Sequence, residues 1–206
     1  MSKSAYNSAA NALKFQLQAN DMSPSVHLDA KLPTLPEGDL WVFGYGSLMW
    51  RPGFDFIEQL DGKIYGYHRA LCVLSWVYRG TSDNPGLVLG LDKGGSCSGK
   101  LFKISADEKQ QVANYLFDRE LPTMVYNARF SIIHTKDGQK INALTFVVDT
   151  EHPQYIKNQS LEQLAYIVAH AQGLYGTSRD YLLSTLEHLR QDGIHDTHLE
   201  GVAAFL

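Results

Sequence analysis

The sequence predicts an α+β fold, in which a mixed, mostly antiparallel, barrel-like sheet is flanked by helices. Two observations indicate this class. Short apolar and β-branched segments separated by turn residues follow one another between residues 40 and 149, as strands do. From residue 160 onward, apolar residues instead recur at helical spacing. The chain has 206 residues, of which 44% are hydrophobic, and this suffices for one domain with a sizeable core.

The composition argues against several classes of protein. The net charge is −4 and no Lys/Arg cluster is present, so nucleic acid is not an expected partner. No uninterrupted apolar stretch is long enough to span a membrane, and the N-terminus does not resemble a secretory signal. Cys72 and Cys97 are far from C-x-x-C spacing and predict free thiols in a reducing cytoplasm. No obligate protein partner is implied.

Residues 1–39 are predicted to be an N-terminal extension that precedes a domain of residues 40–206. Residues 1–20 carry a thin apolar stripe that is compatible with a helix. Residues 21–39 contain Pro24, Pro33 and Pro36 and predict an extended lead-in. The sequence attaches no function to either part.

The domain begins with a short apolar run over residues 40–43, which predicts a buried strand. It leads into Gly44-Tyr45-Gly46-Ser47, where two glycines allow positive φ or a close approach to a ligand. Consecutive N–H groups in such a turn can hold an anion or a carbonyl oxygen, although the pattern also fits an ordinary tight turn. A dinucleotide fingerprint is excluded because the third glycine is missing, and no Gly-Lys-Ser/Thr follows as in a P-loop.

The next strand is predicted over residues 62–79, where aromatic and β-branched residues alternate. One of its faces ends in Ser75 and Arg79. This polar end either faces water or lies at the mouth of a pocket, where a guanidinium can bind a carboxylate. Residues 87–91 and 99–104 then predict a hairpin that turns at residues 93–95.

A helix is predicted to begin at Ser105, where Glu108 completes a capping box, and to end at Pro122. Two further strands over residues 124–134 and 141–149 are joined across Asp137-Gly138, a hairpin signal.

The C-terminal third is predicted to be helical. One helix begins at Ser160 and is closed by Gly173. Another covers residues 178–191, has Tyr181 on its core face and is closed by Gly193, and a last short element follows over residues 199–206.

Glu120 falls in the last turn of the first predicted helix of the domain. A carboxylate there lies at the negative end of the helix dipole, which disfavours its ionised form. An apolar pocket would raise its pKa further, toward the range that suits a general base near neutral pH. The alternative is a solvated surface glutamate, because charged residues are mostly exposed.

Three segments resemble the ChaC-like, glutathione-degrading branch of the γ-glutamylcyclotransferase superfamily. They are VFGYGSLMWRPGF at 42–54, RGTSDNPGLVLGLDKGGSCSGKLF at 79–102 and LFDRELPTMVY at 116–126. The resemblance extends over roughly residues 40–200. The segment at 79–102 resembles the bacterial branch of the family in particular. It implies a γ-glutamylcyclotransferase-like fold.

The resemblance implies that the chain converts glutathione to 5-oxoproline and cysteinylglycine. The α-amine of the substrate attacks its own γ-carbonyl, so neither a Ser or Cys nucleophile, nor a metal, nor a cofactor is needed. Glu120 matches the family's catalytic acid/base. The N–H groups of Tyr45, Gly46, Ser47 and Leu48 are the expected donors to the oxyanion and to the substrate carboxylate.

Tyr155 resembles a family tyrosine that reaches the pocket, although it is equally compatible with a loop tyrosine that packs its ring. Two alternative functions stay open. One is the cyclisation of γ-glutamylamines or other γ-glutamyl amino acids, which would use the same base and turn. The other is a non-catalytic regulator of cation transport that binds γ-glutamyl compounds. Glu120 argues against the regulator, because an anionic ligand gains nothing from a nearby carboxylate.

Overall fold

Five strands form a closed barrel in the computed structural model, which describes residues 32–206. The strands are β1 (Leu40–Gly44), β2 (Glu58–Ser75), β3 (Gly86–Ile104), β4 (Tyr126–Thr135) and β5 (Lys140–Val148). Their order around the barrel is β1-β3-β2-β4-β5, and β1 pairs in parallel with β5 while all other pairs are antiparallel. The predicted mixed, mostly antiparallel barrel-like sheet is therefore confirmed. The helix predicted within residues 1–20 lies outside the described residues.

Both faces of β1 are buried, which explains its uninterrupted apolar sequence. Leu40 and Val42 belong to one core cluster with Leu116 of the first helix. Phe43 belongs to a second cluster, which includes Leu182 and other residues of the C-terminal helices. The strand thus lies between two apolar layers, and its C-terminal end leads directly into the glycine-containing turn.

The predicted hairpin turning at residues 93–95 is wrong, because β3 is one continuous strand. It pairs with β2 from Gly86, opposite Ser75, to Lys103, opposite Glu58. Gly94 and Gly95 have φ values of 99° and 68° and accommodate a bulge in the ladder. Glycines with positive φ suit a bulge as well as a turn, so the local sequence did not distinguish the two.

The strand predicted over residues 62–79 begins earlier, at Glu58, and ends earlier, at Ser75. Beyond Ser75 the chain bends, because the hydroxyl of Ser75 accepts a hydrogen bond from the backbone N–H of Arg79 at 3.0 Å. This bend returns Arg79 to the neighbourhood of Ser75 instead of extending the strand.

Within residues 32–206, four α-helices follow or interrupt the strands: α1 (Lys109–Glu120), α2 (Leu161–His170), α3 (Ser178–Gln191) and α4 (Thr197–Ala203). The capping box predicted for α1 is not formed, because the Ser105 hydroxyl donates to the Glu108 carboxylate instead of accepting from the backbone. The predicted capping box of α2 is present and joins Ser160 to Gln163. No helix in residues 32–206 combines the length and apolar character needed to cross a membrane.

The remaining elements largely follow the predictions. β4 and β5 form the predicted hairpin, in which Gly138 has a φ of 87°. α3 has the predicted bounds. Gly173 does not close α2 but belongs to a small two-stranded sheet of β6 (Gln172–Gly173) and β7 (Gly176–Thr177), which precedes α3.

Candidate active site

A cavity of about 1450 Å³ lies where the C-terminal ends of β1, β2 and α1 meet the first turns of α3. Seven of the eight residues that the sequence nominated line it, and the exception is Tyr155. The seven are Tyr45, Gly46, Ser47, Leu48, Ser75, Arg79 and Glu120. Residues up to 75 positions apart in the sequence are thus brought to one cavity.

The turn after β1 presents unused backbone donors to this cavity. A short 3-10 helix covers Ser47–Met49. The backbone N–H of Met49 donates to the carbonyl of Gly46, and that of Arg51 donates to the carbonyl of Ser47. The N–H groups of Gly46, Ser47 and Leu48 have no acceptor in the part of the chain that the structure describes. Neither glycine of the turn has positive φ. Close packing accounts for Gly44, because a Cβ there would lie 3.0 Å from the Cβ of Leu48.

The start of the turn is held by Arg69, which the sequence reasoning missed. The Nε of Arg69 donates to the carbonyl of Tyr45 at 2.6 Å, and its Nη1 forms an ion pair with Asp196 at 3.1 Å. Arg69 is only 5% exposed. A charge that is buried so completely requires partners, and here one of them is the peptide from which the turn begins. An arginine directly before the apolar run of residues 70–74 was the available signal.

Arg119 joins Glu120 to the turn and was also missed. Its Nε lies 3.0 Å from Oε1 of Glu120, and its Nη2 donates to the Ser47 hydroxyl at 3.1 Å. Its Nη1 donates to the carbonyls of Arg51 and Pro52 at 2.7 and 3.1 Å and to the hydroxyl of Tyr115 at 3.0 Å. The planar guanidinium therefore fixes Glu120 relative to Ser47. Its partners in and just after the turn are 67 to 72 positions away in sequence, and no local pattern indicates them.

Glu120 is the last residue of α1, and its side chain is 21% exposed at the cavity wall. Burial raises the pKa of this carboxyl above its usual value, whereas the charge and hydrogen bond of Arg119 act in the opposite direction. Burial prevails, so the direction of the predicted shift agrees with the structure. The alternative of a solvated surface glutamate does not hold, because the exposed part faces the cavity.

Three tyrosines surround Glu120: Tyr45, Tyr126 and Tyr181. Burial raises the pKa of each phenol, to about 12 for Tyr181, and the charge of Glu120 adds to the shift. The hydroxyl of Tyr126 donates to the carbonyl of Leu89 at 2.6 Å, and that of Tyr181 accepts from the Leu89 N–H at 3.3 Å. These phenols therefore stay neutral and form a fixed polar wall. Tyr181 was predicted only as a core residue.

Ser75 and Arg79 lie in the wall of the cavity and not at a strand end facing bulk water. Ser75 is 6% exposed. The Nη1 of Arg79 donates to the carbonyls of Tyr175 and Thr177 at 2.6 and 3.4 Å, and its guanidinium stacks 5.4 Å from the ring centre of Tyr181. The sequence allowed either a strand end that faces water or a position at a pocket, and the structure has the second.

Tyr155 is not brought to the cavity. Its backbone forms a bridge with Val73, and its hydroxyl donates to the carboxylate of Asp92 at 2.9 Å. The neighbouring Gln154 lines the cavity instead, with its Nε2 bonded to the carbonyl of Leu74 at 2.7 Å. The expectation that Tyr155 reaches the pocket is corrected accordingly, because its hydroxyl is engaged elsewhere.

The cavity holds no alternative nucleophile of the cysteine type. Burial raises the pKa of Cys72 to about 12 and that of Cys97 to about 11, so both thiols stay protonated. Across residues 32–206, no three His, Cys, Asp or Glu side chains are grouped closely enough to hold a metal ion. Glu120 is thus the titratable group of this cavity best suited to proton transfer near neutral pH.

Comparison with known proteins gives a consistent result. A family model described as ChaC-like protein matches residues 40–205. The glutathione-specific gamma-glutamylcyclotransferase of Escherichia coli K12 is 35% identical over 166 residues, which cover 81% of this chain and 72% of that protein. The Schizosaccharomyces pombe protein of the same description is 35% identical over 176 residues, covering 75% of this chain and 85% of the other.

A solved structure has the same fold. The crystal structure of a yeast gamma-glutamyl cyclotransferase specific to glutathione superposes with a TM-score of 0.74 at 19% identity. The match covers 82% of this chain and 97% of the yeast protein.

Proposed function

The chain belongs to the ChaC-like family, and we propose that it is a glutathione-specific γ-glutamylcyclotransferase, which converts glutathione to 5-oxoproline and cysteinylglycine. The observation that carries the proposal is the position of Glu120. A carboxyl with a raised pKa opens into the same cavity as the unused N–H groups of Gly46, Ser47 and Leu48. A base and an oxyanion site are the two components that this reaction requires.

The first step is the activation of the substrate's α-amine. Glu120 takes a proton from the α-ammonium, and the freed nitrogen attacks the γ-carbonyl carbon of the same residue. Attack closes a five-membered ring, and because it is intramolecular it has a high effective concentration. The carbonyl oxygen becomes an oxyanion, to which the N–H groups of the turn donate.

The second step is the departure of cysteinylglycine. Glu120 passes the proton to the cysteinyl nitrogen, and the bond between this nitrogen and the γ-carbon breaks. Over the whole reaction the α-nitrogen loses two protons and the leaving nitrogen gains two. Glu120 therefore ends as the carboxylate with which it began. A carboxyl whose pKa is raised toward neutrality suits both the acceptance and the return of the proton.

Arg119 is proposed as a positioning residue in this reaction. It bonds both the carboxylate of Glu120 and the hydroxyl of Ser47, and therefore sets the distance between the base and the turn. Its charge also opposes the rise in the pKa of Glu120 that burial causes, and so favours the ionised form of the carboxylate.

Glutathione is favoured over γ-glutamylamines because the E. coli and S. pombe relatives are both described as glutathione-specific. The alternative of a non-catalytic regulator is not favoured, since the carboxylate of Glu120 would repel the carboxylates of a γ-glutamyl ligand. We further propose a cytoplasmic location, because the buried Cys72 and Cys97 are free thiols and intracellular compartments keep thiols reduced.

The test is an assay of the purified protein with glutathione, γ-glutamylcysteine and γ-glutamyl-lysine, in which 5-oxoproline is quantified. We expect 5-oxoproline and an equal amount of cysteinylglycine from glutathione, and far less product from γ-glutamyl-lysine. Glu187→Gln is a matched control, because Glu187 is an exposed glutamate of α3 outside the cavity. The absence of 5-oxoproline from all three compounds would refute the proposed function.

A further inference from the structure

We infer that Arg51 and Arg79 form a carboxylate-binding subsite at the mouth of the cavity, which takes the C-terminal carboxylate of a γ-glutamyl peptide. The subsite presupposes the function proposed above and concerns the part of the substrate that leaves. It would make the enzyme select γ-glutamyl peptides over γ-glutamyl amides that have no carboxylate at this position.

The charge of the cavity differs in sign from that of the protein. The whole chain has a net charge of −4, yet the charged residues lining the cavity are three arginines and two acids. They are Arg51, Arg79, Arg119, Asp180 and Glu120. All three nitrogens of Arg119 are engaged by the hydrogen bonds described above, whereas Arg51 and Arg79 keep nitrogens without a partner in the described chain. A positive lining of this kind attracts and retains anions.

Arg79 is held in place but keeps free donors. Its Nη1 is bonded to the carbonyls of Tyr175 and Thr177, and the guanidinium lies over Tyr181. Its Nε and Nη2 have no hydrogen-bond partner among residues 32–206. Because the side chain is already fixed, binding a carboxylate through these donors costs little conformational entropy. Two adjacent N–H donors match the two oxygens of a carboxylate.

The electrostatic surroundings of Arg79 are those of a cation without a close counter-ion. Burial lowers the pKa of its guanidinium, Tyr181 and Asp180 oppose this shift, and the positive charge of Arg51 reinforces it. Asp180 forms no ion pair with Arg79 within 4.0 Å. A carboxylate between the two arginines would relieve their repulsion and supply the missing partner.

Arg51 is anchored through its backbone and exposes its side chain. Its N–H donates to the carbonyl of Ser47 at 2.8 Å, and its own carbonyl accepts from Arg119 at 2.7 Å. Its guanidinium has no hydrogen bond or ion pair within the described chain. The two arginines therefore approach the cavity from different elements, the turn after β1 and the bend after β2.

The position of the pair points to the distal carboxylate of the substrate. The α-carboxylate is bonded to the same carbon as the α-amine, which must reach Glu120, so it lies near the turn. Arg119 is paired with Glu120 at 3.0 Å, whereas Arg51 and Arg79 form no ion pair with it. Two extended residues span about 7 Å, so the glycine carboxylate of glutathione can lie at some distance from the base.

The experiment compares glutathione with its C-terminal carboxamide, which differs from it only at this carboxylate. Values of kcat and KM would be measured for the parent, Arg51→Gln, Arg79→Gln and Arg79→Lys. Arg129→Gln is the control, because Arg129 is an arginine outside the cavity that is bonded to the hydroxyl of Tyr67 at 3.0 Å. Circular dichroism and the thermal midpoint would establish that each variant is folded.

We expect the parent and Arg129→Gln to prefer glutathione over the carboxamide by about tenfold to a hundredfold in kcat/KM, the usual effect of a charge-assisted hydrogen bond. The preference should fall to a few-fold in Arg51→Gln and Arg79→Gln, and should decrease with added salt. The change should be in KM, because the subsite does not contact the reacting atoms. Arg79→Lys should give an intermediate preference, since it keeps the charge without the planar fork.

Equal kcat/KM for the two substrates in the parent would overturn the subsite while leaving the proposed function intact. A full preference that survives in Arg51→Gln would also overturn it, and this variant alters only an exposed side chain and should fold. If Arg79→Gln does not fold, Arg79→Lys decides the contribution of Arg79. The absence of 5-oxoproline from either substrate in the parent protein would count against the proposed function instead.

Discussion

The substitution Glu120→Gln tests the mechanism most directly. The amide has almost the same size and shape, and its Oε1 can still accept the hydrogen bond from Nε of Arg119, now 3.0 Å from Glu120. The other hydrogen bonds of Arg119, to Ser47 and to the backbone of Arg51 and Pro52, do not involve Glu120. The substitution should therefore remove proton transfer and leave the geometry of the site in place.

The expected loss in turnover is about a hundredfold to ten-thousandfold, the usual contribution of a general acid or base. Binding of glutathione should change only a few-fold, because the groups proposed to bind its carboxylates are the turn and the arginines. Loss of the charge interaction with Arg119 should alter the free energy of unfolding by about 1 kcal/mol or less, since the pair is partly exposed.

The sign of the pH dependence can also be given. Because burial raises the pKa of Glu120, the folded protein binds its proton more tightly than the unfolded chain. The resulting stability is fully present below the unfolded pKa and is lost as the pH rises through the raised folded pKa. Gln does not titrate, so the difference in unfolding free energy should move in favour of Glu120→Gln across that window.

Single-turnover formation of 5-oxoproline, calorimetric binding of glutathione and urea unfolding at several pH values would measure the three quantities. A Glu120→Gln protein that cyclises glutathione at nearly the parent rate would show that the base is another group. A variant that turns over slowly and also fails to bind would mean that Glu120 holds the substrate, contrary to the proposed role.

Three further predictions concern the surroundings of the base. Arg119→Gln should move the acidic limb of the kcat/KM profile to higher pH, because the guanidinium lowers the pKa of Glu120, and Arg119→Lys should move it less; an unchanged limb would contradict this role. Gly53→Ala should lower the free energy of unfolding by about 1–3 kcal/mol in urea titrations, because Gly53 has a φ of 76° and a Cβ there would meet the Tyr115 hydroxyl. A change in the free energy of unfolding no larger than that of a substitution at an exposed site would show that the loop adjusts to the added Cβ. Activity should be complete after dialysis against a chelator, since the mechanism uses only the carboxylate and N–H donors; a loss reversed by added metal would refute that expectation.

Much of the fold followed from local patterns. The apolar run of β1, the glycine in the β4–β5 turn and the capping box of α2 are each governed by neighbouring residues, and each prediction was confirmed. The hairpin at residues 93–95 was wrong because the same glycine conformation serves a turn and a bulge. Only the pairing of β3 with the whole length of β2 selects the bulge, and that pairing is non-local.

In the candidate site, too, the features set by neighbouring residues were predicted and those set by distant contacts were not. The glycine-containing turn and Glu120 could be nominated from the sequence, because a turn and a helix end are local features and both lie in segments that resemble a known family. The roles of Arg119 and Arg69 were not recognised, since their bonds to Ser47 and Tyr45 join residues far apart in the chain. Tyr155 was misplaced because its hydroxyl is bonded to Asp92, 63 positions earlier.

The sequence by itself thus determined most of the elements that form and nominated Glu120 as the base. The tertiary structure alone decided how that carboxylate behaves. Its pKa depends on the burial of Glu120 and on the Arg119 guanidinium, which is held in place by bonds to Ser47 and to the backbone of Arg51 and Pro52. Desolvation and charge interactions act through space, so they depend on distances that the order of residues does not specify.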